Sequence, residues 1–204
     1  VNTETNSPHP PADARDRLLS AALDQFTLRG YAATSVRELC EAAGVTKPVL
    51  YYYFKSKEGL YLQLMEESYS HFEAMLADLT GIQGNIRERL TGFCAGLFAV
   101  YTAQLPLVKL CYSIYYGTPQ GAPYFNLSQY YDRLLHVVSS LVEEGVESGE
   151  IGNENVADSA WAIMGCLNIA IEEQLCHGSN PRIDQASMLR MIELVFTGIT
   201  SNKS

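Results

Sequence analysis

The sequence predicts an all-α protein, and three observations carry the prediction. Apolar residues recur at helical spacing almost throughout, and no Val/Ile/Thr-rich run alternates with period two. The punctuation between the periodic segments is that of helix ends: Ser, Thr or Asn before them and Gly after them. The composition, 47% apolar and 18% charged over 204 residues, is that of a chain with enough apolar surface to build a sizeable core.

Taken in order, a first helix is expected over about 12–29, with Leu19, Ala22, Leu23 and Phe26 inward and Gly30 closing it in the left-handed conformation. Ser35 with Glu38 spells a capping box for a short helix whose inner face is Val36, Leu39 and Ala43 and whose stop is Gly44. Thr46 is expected to cap a third helix, which tolerates Pro48 in its first turn and turns Leu50 and Phe54 inward. Ser56 opens a fourth helix to about Leu79, and Asn85 with Glu88 opens a fifth that ends before Pro106. A sixth over 107–116 is stopped by Gly117, Pro119, Gly121 and Pro123. The last three are expected at 124–148, from Asn155 and Asp158 to about Cys176, and at 182–200, for nine helices in all.

The net charge is -9, but it is unevenly placed. Residues 29–57 carry five basic side chains (Arg29, Arg37, Lys47, Lys55, Lys57) against Glu38 and Glu41, a local excess of +3. That stretch either docks a polyanion or is a solvated face, and charge alone leaves both open. The five cysteines are scattered, and none forms a CxxC pair, so buried reduced thiols are expected. Cys176 beside His177 has no partners at metal spacing, and neither metal nor cofactor is expected. The first 17 residues lack a basic n-region and an apolar h-region, and no apolar run reaches the length of a membrane span. A soluble, cytoplasmic protein with no membrane partner is the expectation.

The chemistry concentrates at 35–54. Short helix, glycine turn, short helix is the spacing of a helix-turn-helix, whose second helix presents its N-terminal residues to the major groove. Lys47, Val49, Tyr51, Tyr52 and Tyr53 lie on that helix, flanked by Arg37, Lys55 and Lys57. Basic groups neutralise phosphates, tyrosine hydroxyls donate to phosphate oxygens, and a small apolar side chain meets a thymine methyl. Packing between helices is the competing use of the tyrosines, and Tyr53 is expected to take it. The stretch GYAATSVRELCEAAGVTKPVLYYYFKSKEGLY resembles the DNA-binding domain of the TetR family of bacterial transcriptional regulators. It matches at Thr34, Arg37, Ala43, Gly44, Val45, Leu50, Tyr51, Tyr53, Phe54, Lys57 and Leu60. The resemblance implies that Thr34, Tyr51, Tyr52 and Lys57 touch backbone phosphates and that Arg37, Lys47 and Val49 face bases, with Thr46 among the DNA-binding candidates. Pro48 departs from the small residue common in the family, so the first turn of the recognition helix is expected to sit differently.

The polar start of the chain is expected to be a disordered arm over 1–12, and the resemblance implies a helix-turn-helix domain over 13–58 and an effector-binding and dimerisation domain over 59–204. The larger part holds many aromatics, including Phe93, Phe98, Tyr101, Tyr112, Tyr116, Tyr131 and Trp161. Tyrosines combine a flat apolar face with a hydroxyl and suit a pocket for a lipophilic or aromatic molecule, while ordinary core accounts for about half of them. The resemblance raises Tyr101, Tyr112, Tyr116, Tyr131, Trp161 and Met164 as effector contacts, with Asn168 and His136 as polar candidates. The last two helices are apolar around more than one face, so a second copy of the chain is expected to cover them, with Ala157, Ala160 and Gly165 allowing close approach. A homodimer implies an inverted-repeat operator on double-stranded DNA. An enzyme is the competing class, but no GxSxG, HExxH, P-loop or dinucleotide fingerprint is present, and no catalytic residue is assigned. A helix-turn-helix repurposed for protein contacts is the third reading.

Overall fold

The structure, a computed structural model, describes residues 13–117, 121–152, 155–178 and 180–199. They form nine helices: α1 Asp13–Arg29, α2 Val36–Ala43, α3 Lys47–Phe54, α4 Lys57–Thr80, α5 Ile86–Ala103, α6 Leu105–Tyr116, α7 Ser128–Ser148, α8 Val156–His177 and α9 Gln185–Ile199. The chain is all-α, as its periodicity predicts. The arm expected over 1–12 lies outside the described residues. Among these residues no single helix is long and apolar enough to cross a membrane.

Local chemistry explains most of the ends. The capping boxes form as read: Ser35 accepts from the Glu38 amide while Glu38 accepts from the Ser35 amide, and Asn85 and Glu88 repeat the exchange at α5. Ser56 Oγ accepts from the Gly59 amide at 2.9 Å and opens α4. The Asn155 side chain accepts from the Asp158 amide at 3.1 Å and opens α8. Thr46 departs from expectation: it stands at the N-cap of α3, but its side chain makes no capping bond. Three other ends differ from the sequence reading. Helix α6 starts at Leu105, because Pro106 sits in a first turn where its missing N–H is no loss. Helix α7 starts four residues late, at Ser128; ahead of it Tyr124 is almost fully exposed while Leu127 is buried. Helix α9 starts at Gln185, where Asp184 accepts from the Ser187 amide at 2.8 Å.

The described residues form two compact units. The first runs to Ser70 and includes Lys109–Phe125; the second comprises His71–Val108 and the chain from Asn126 onward. The segment 13–58 lies wholly in the first unit. Its core is Leu18, Ala22 and Phe26 of α1, Leu39 of α2, Leu50 and Phe54 of α3, and Leu60, Tyr61 and Met65 of α4. Arg15 of α1 is bonded to Glu67 of α4, which also accepts from Gln63 at 3.0 Å.

The second unit packs α8 against α7 and α9, with α5 alongside all three. Gly145 permits one close approach: a Cβ there would stand 2.6 Å from Ile151 Cδ1. Behind it, Gly149 ends α7 at φ 76°, and the Ile151 amide returns to Gly145 O at 2.9 Å. The α8–α9 connection is held by Glu173, buried on α8, whose carboxylate accepts from Arg182 Nε at 2.7 Å, Nη2 at 2.8 Å and the Arg182 amide at 3.0 Å. These bonds hold Arg182 out of α9.

The faces of the last two helices sort differently from expectation. Ala160, Ile163, Met164, Leu167 and Ile171 of α8 and Met188, Ile192 and Phe196 of α9 are buried within the protomer. Ala160 therefore does not lie on an outer face. What α8 turns outward is Ala157, Trp161, Ala162, Gly165 and Ile169, and α9 turns out Leu194 and Gly198.

Candidate nucleic-acid interface

The helix-turn-helix is built on one backbone requirement. After α2 the chain reverses through Gly44 at φ 62° and ψ 38°, the left-handed region, while the Val45 amide returns to Cys40 O at 2.9 Å. Leu39, Cys40 and Ala43 on one side of the turn and Leu50 and Phe54 on the other are buried, which fixes the opposite faces of α2 and α3 outward.

That outward face carries Arg37 and Glu41 from α2 and Thr46, Lys47, Pro48, Tyr51, Tyr52 and Lys55 from the turn and α3, all exposed, with Val49 half-buried among them. Tyr51 and Tyr52 are 46% and 47% exposed, enough to leave their hydroxyls at the surface. Tyr53 is half-buried, and its ring lies against those of Tyr52 and Phe54 on the same helix, with centroids at 5.0 and 6.2 Å. Lys55 ends α3 at φ 65°, and its ammonium donates back to Tyr52 O at 3.1 Å. Two of the arginines are held by acids: Arg29 by Glu38 at 2.6 Å and Arg37 by Glu41 at 3.0 Å. Bonds from the Ser35 backbone and side chain, then the Arg29 charge, hold the Glu38 carboxyl below its ordinary pKa. Lys47 has no ion pair among the described residues and projects from the first turn of α3.

Thr34 and Lys57 stand elsewhere. Thr34 is buried, and its hydroxyl donates to Gly30 O at 2.9 Å, with Gln25 O at 3.3 Å as a second acceptor for the same hydrogen, closing the end of α1. The expectation for Thr34 was a contact to a backbone phosphate; in the protomer its side chain is buried. The Lys57 ammonium donates to Tyr31 O and Thr34 O, each at 2.9 Å, and lies 4.0 Å from the centre of the Tyr31 ring. Desolvation in this half-buried place lowers its pKa.

The effector candidates fall into two groups. In the first unit, Tyr112 and Tyr116 of α6 have ring centroids 5.6 Å apart, and Tyr116 is 68% exposed. In the second unit, Tyr131 of α7 and Trp161 of α8 are 5.8 Å apart, Met164 is buried, and Tyr101 and Asn168 are half-buried. His136 is exposed on α7. Sequence reasoning missed the acids Glu38 and Glu41 as partners of the arginines. The i,i+4 spacing of Arg37 and Glu41 carried that signal.

Residues 18–64 match the family model for bacterial regulatory proteins of the tetR family. The HTH-type transcriptional repressor KstR2 of Mycolicibacterium smegmatis is 31% identical over 93 residues, 46% of this chain and 45% of that one. RutR of Escherichia coli, a transcriptional regulator, is 46% identical over 50 residues, 24% of each chain. The chain thus spans less than half the length of these and similar curated relatives. Among solved structures, PfmR of Thermus thermophilus superposes with a TM-score of 0.70 at 24% identity, covering 91% of this chain and all of that one. The ketosteroid transcriptional regulator KstR2 of Mycobacterium tuberculosis gives 0.69 at 21%, covering 99% and 100%. The match to the tetR-family model is thus confined to residues 18–64, and along the rest of the chain the likeness to these solved regulators is one of fold.

Proposed function

We propose that the protein is a dimeric, sequence-specific DNA-binding regulator, a repressor that leaves an inverted-repeat operator when a small lipophilic or aromatic effector binds. The observation that carries this reading is the outward face of α2 and α3: Arg37, Lys47, Tyr51, Tyr52 and Lys55 around Val49, on a turn fixed by left-handed Gly44. Arg37, Lys47 and Val49 are assigned to base edges, and Thr46, Tyr51 and Tyr52 to phosphates. Homology to the TetR family supports both operator binding and a homodimer. The outer faces of α8 and α9 are the surface on which we place the second copy.

The candidate effector contacts are Tyr101, Tyr131, Trp161, Met164 and Asn168 in the second unit and Tyr112 and Tyr116 in the first. One structural relative is named a ketosteroid regulator, which makes flat lipophilic molecules the first panel to test. The experiment is a footprint on the DNA flanking the protein's own gene, followed by the panel. Protection of an inverted repeat that weakens steeply with salt, and release by a lipophilic ligand, are expected. Equal affinity for operator and random DNA would overturn the assignment of base reading.

A further inference from the structure

Residues 35–56 run as α2, turn and α3, which pack on α1 through Leu39, Leu50 and Phe54, and lead into α4. How the two ends of this segment are held contributes to its aim. Thr34 immediately precedes it and Lys57 immediately follows it. The Lys57 ammonium bonds Thr34 O and Tyr31 O, each at 2.9 Å, and lies 4.0 Å from the Tyr31 ring centre. An ammonium has three N–H groups and no acceptor, so two carbonyls and one ring face engage all of them. The far side is equally fixed. The Tyr31 ring packs on Tyr61 at 5.2 Å and Phe26 at 5.4 Å, and Thr34 is tied to Gly30 and Gln25.

We infer that Lys57 is a positioning residue, a clasp that closes the base of the helix-turn-helix, and not a phosphate contact. The inference rests on the DNA-binding reading above and assigns one of its basic residues a different task. A phosphate contact and a clasp differ in what salt does to them. Losing a phosphate contact lowers the slope of log affinity against log salt by about 0.9, because one fewer counterion is released. Losing a clasp lowers affinity at every salt concentration and leaves the slope unchanged.

The test measures operator binding across a salt series for the full-length chain, Lys57→Met, Tyr31→Leu and the double variant, with circular dichroism to establish that each is folded. For Lys57→Met an affinity loss of at least about tenfold with the wild-type slope is expected. Tyr31→Leu, which keeps the lysine and both carbonyls and removes only the ring, should lose less affinity with the wild-type slope, and the double variant should lose less than the product of the two, since the ring acts through the lysine. A slope lowered by about 0.9 in Lys57→Met overturns the inference and returns Lys57 to the phosphates. Unchanged affinity in Lys57→Met, or full additivity in the cycle, overturns it as well. If Lys57→Met does not fold, Lys57→Gln decides: a slope lowered by about 0.9 there, or unchanged affinity, refutes the clasp. Failure of the wild-type chain to prefer any operator is a different result, which removes the DNA-binding reading itself.

Discussion

The exposed leucine at the middle of α9 gives the sharpest test of how the protein assembles. Leu194 is 73% exposed in the protomer, on the side of α9 that also turns out Gly198, while the outer face of α8 offers Trp161 at 53% and Ile169 at 42%. Full burial of a leucine side chain is worth about 1.5–3 kcal/mol, so the exposed fraction offers about 1–2 kcal/mol per protomer to whatever covers it. A two-fold interface uses the residue twice, so Leu194→Ala should weaken the dimer by about 2–4 kcal/mol, or about 30- to 1000-fold in dissociation constant. Sedimentation velocity over a dilution series reads that shift directly. Leu28 of α1 is 76% exposed but lies in the first unit, so Leu28→Ala is the matched control and should leave the dimer unchanged. A Leu194→Ala dimer as tight as wild type would show that a different surface pairs.

Lys47→Ala should cost operator binding roughly 1–3 kcal/mol and relax preference at one base pair, and a competition assay over single-base operator variants checks it. Equal loss on random DNA would move Lys47 to a phosphate. Gly44→Ala places a methyl 3.7 Å from Arg17 Nη1, an ordinary contact, so only the left-handed backbone resists it, at about 1–2 kcal/mol before a partial offset from the stiffer unfolded chain. The melting temperature should fall by about 2–4 °C, and by less for Gly44→Asn, which tolerates that backbone. Glu173, bonded to Arg182, is held down to about 2. A depressed carboxyl contributes stability above its unfolded pKa of about 4.3 and loses it as pH falls toward the folded value. Wild type should therefore lose its stability advantage over Arg182→Met between about pH 4.5 and 2, and parallel melting curves across that window would rule the linkage out.

What was legible in the sequence was the local part. Both capping boxes and the glycine stops at Gly30, Gly44 and Gly149 are codes written within four residues, and the structure has them where they were read. The start of α9 was not legible, because Glu173, nine residues earlier, takes Arg182 away from the helix. The outward faces of α8 and α9 were hidden for a related reason. A helix apolar on several sides shows no period that separates its inner stripe from its outer one. Ala160 and Gly165 looked equivalent as small residues, yet one is fully buried, and a Cβ on the other would meet no atom within 4 Å. At the helix-turn-helix, the positions of Thr34 and Lys57 depend on carbonyls of α1 and the α1–α2 turn, up to 26 residues away. Sequence spacing says nothing about such partners.

The same carbonyls bear on how a chain of net charge -9 can approach a polyanion. Of the five cations between 29 and 57, Arg29 and Arg37 are paired with Glu38 and Glu41, and Lys57 is committed to the Tyr31–Thr34 turn. Lys47 and Lys55 are left with no acidic partner among the described residues, one at each end of α3. Acids farther off than about 8–10 Å are largely screened at physiological salt, so the overall charge matters less than this local inventory. Arg37 is exposed with its Glu41 partner, and exposed pairs of that spacing are worth only about 0.3–0.5 kcal/mol. A phosphate or a guanine edge can displace Glu41 at little cost, whereas a surface that offers neither cannot. On the proposed DNA-binding reading, the acids on α2 would weaken indiscriminate attraction to any anion and reserve Arg37 for a partner that places an acceptor where Glu41 stands.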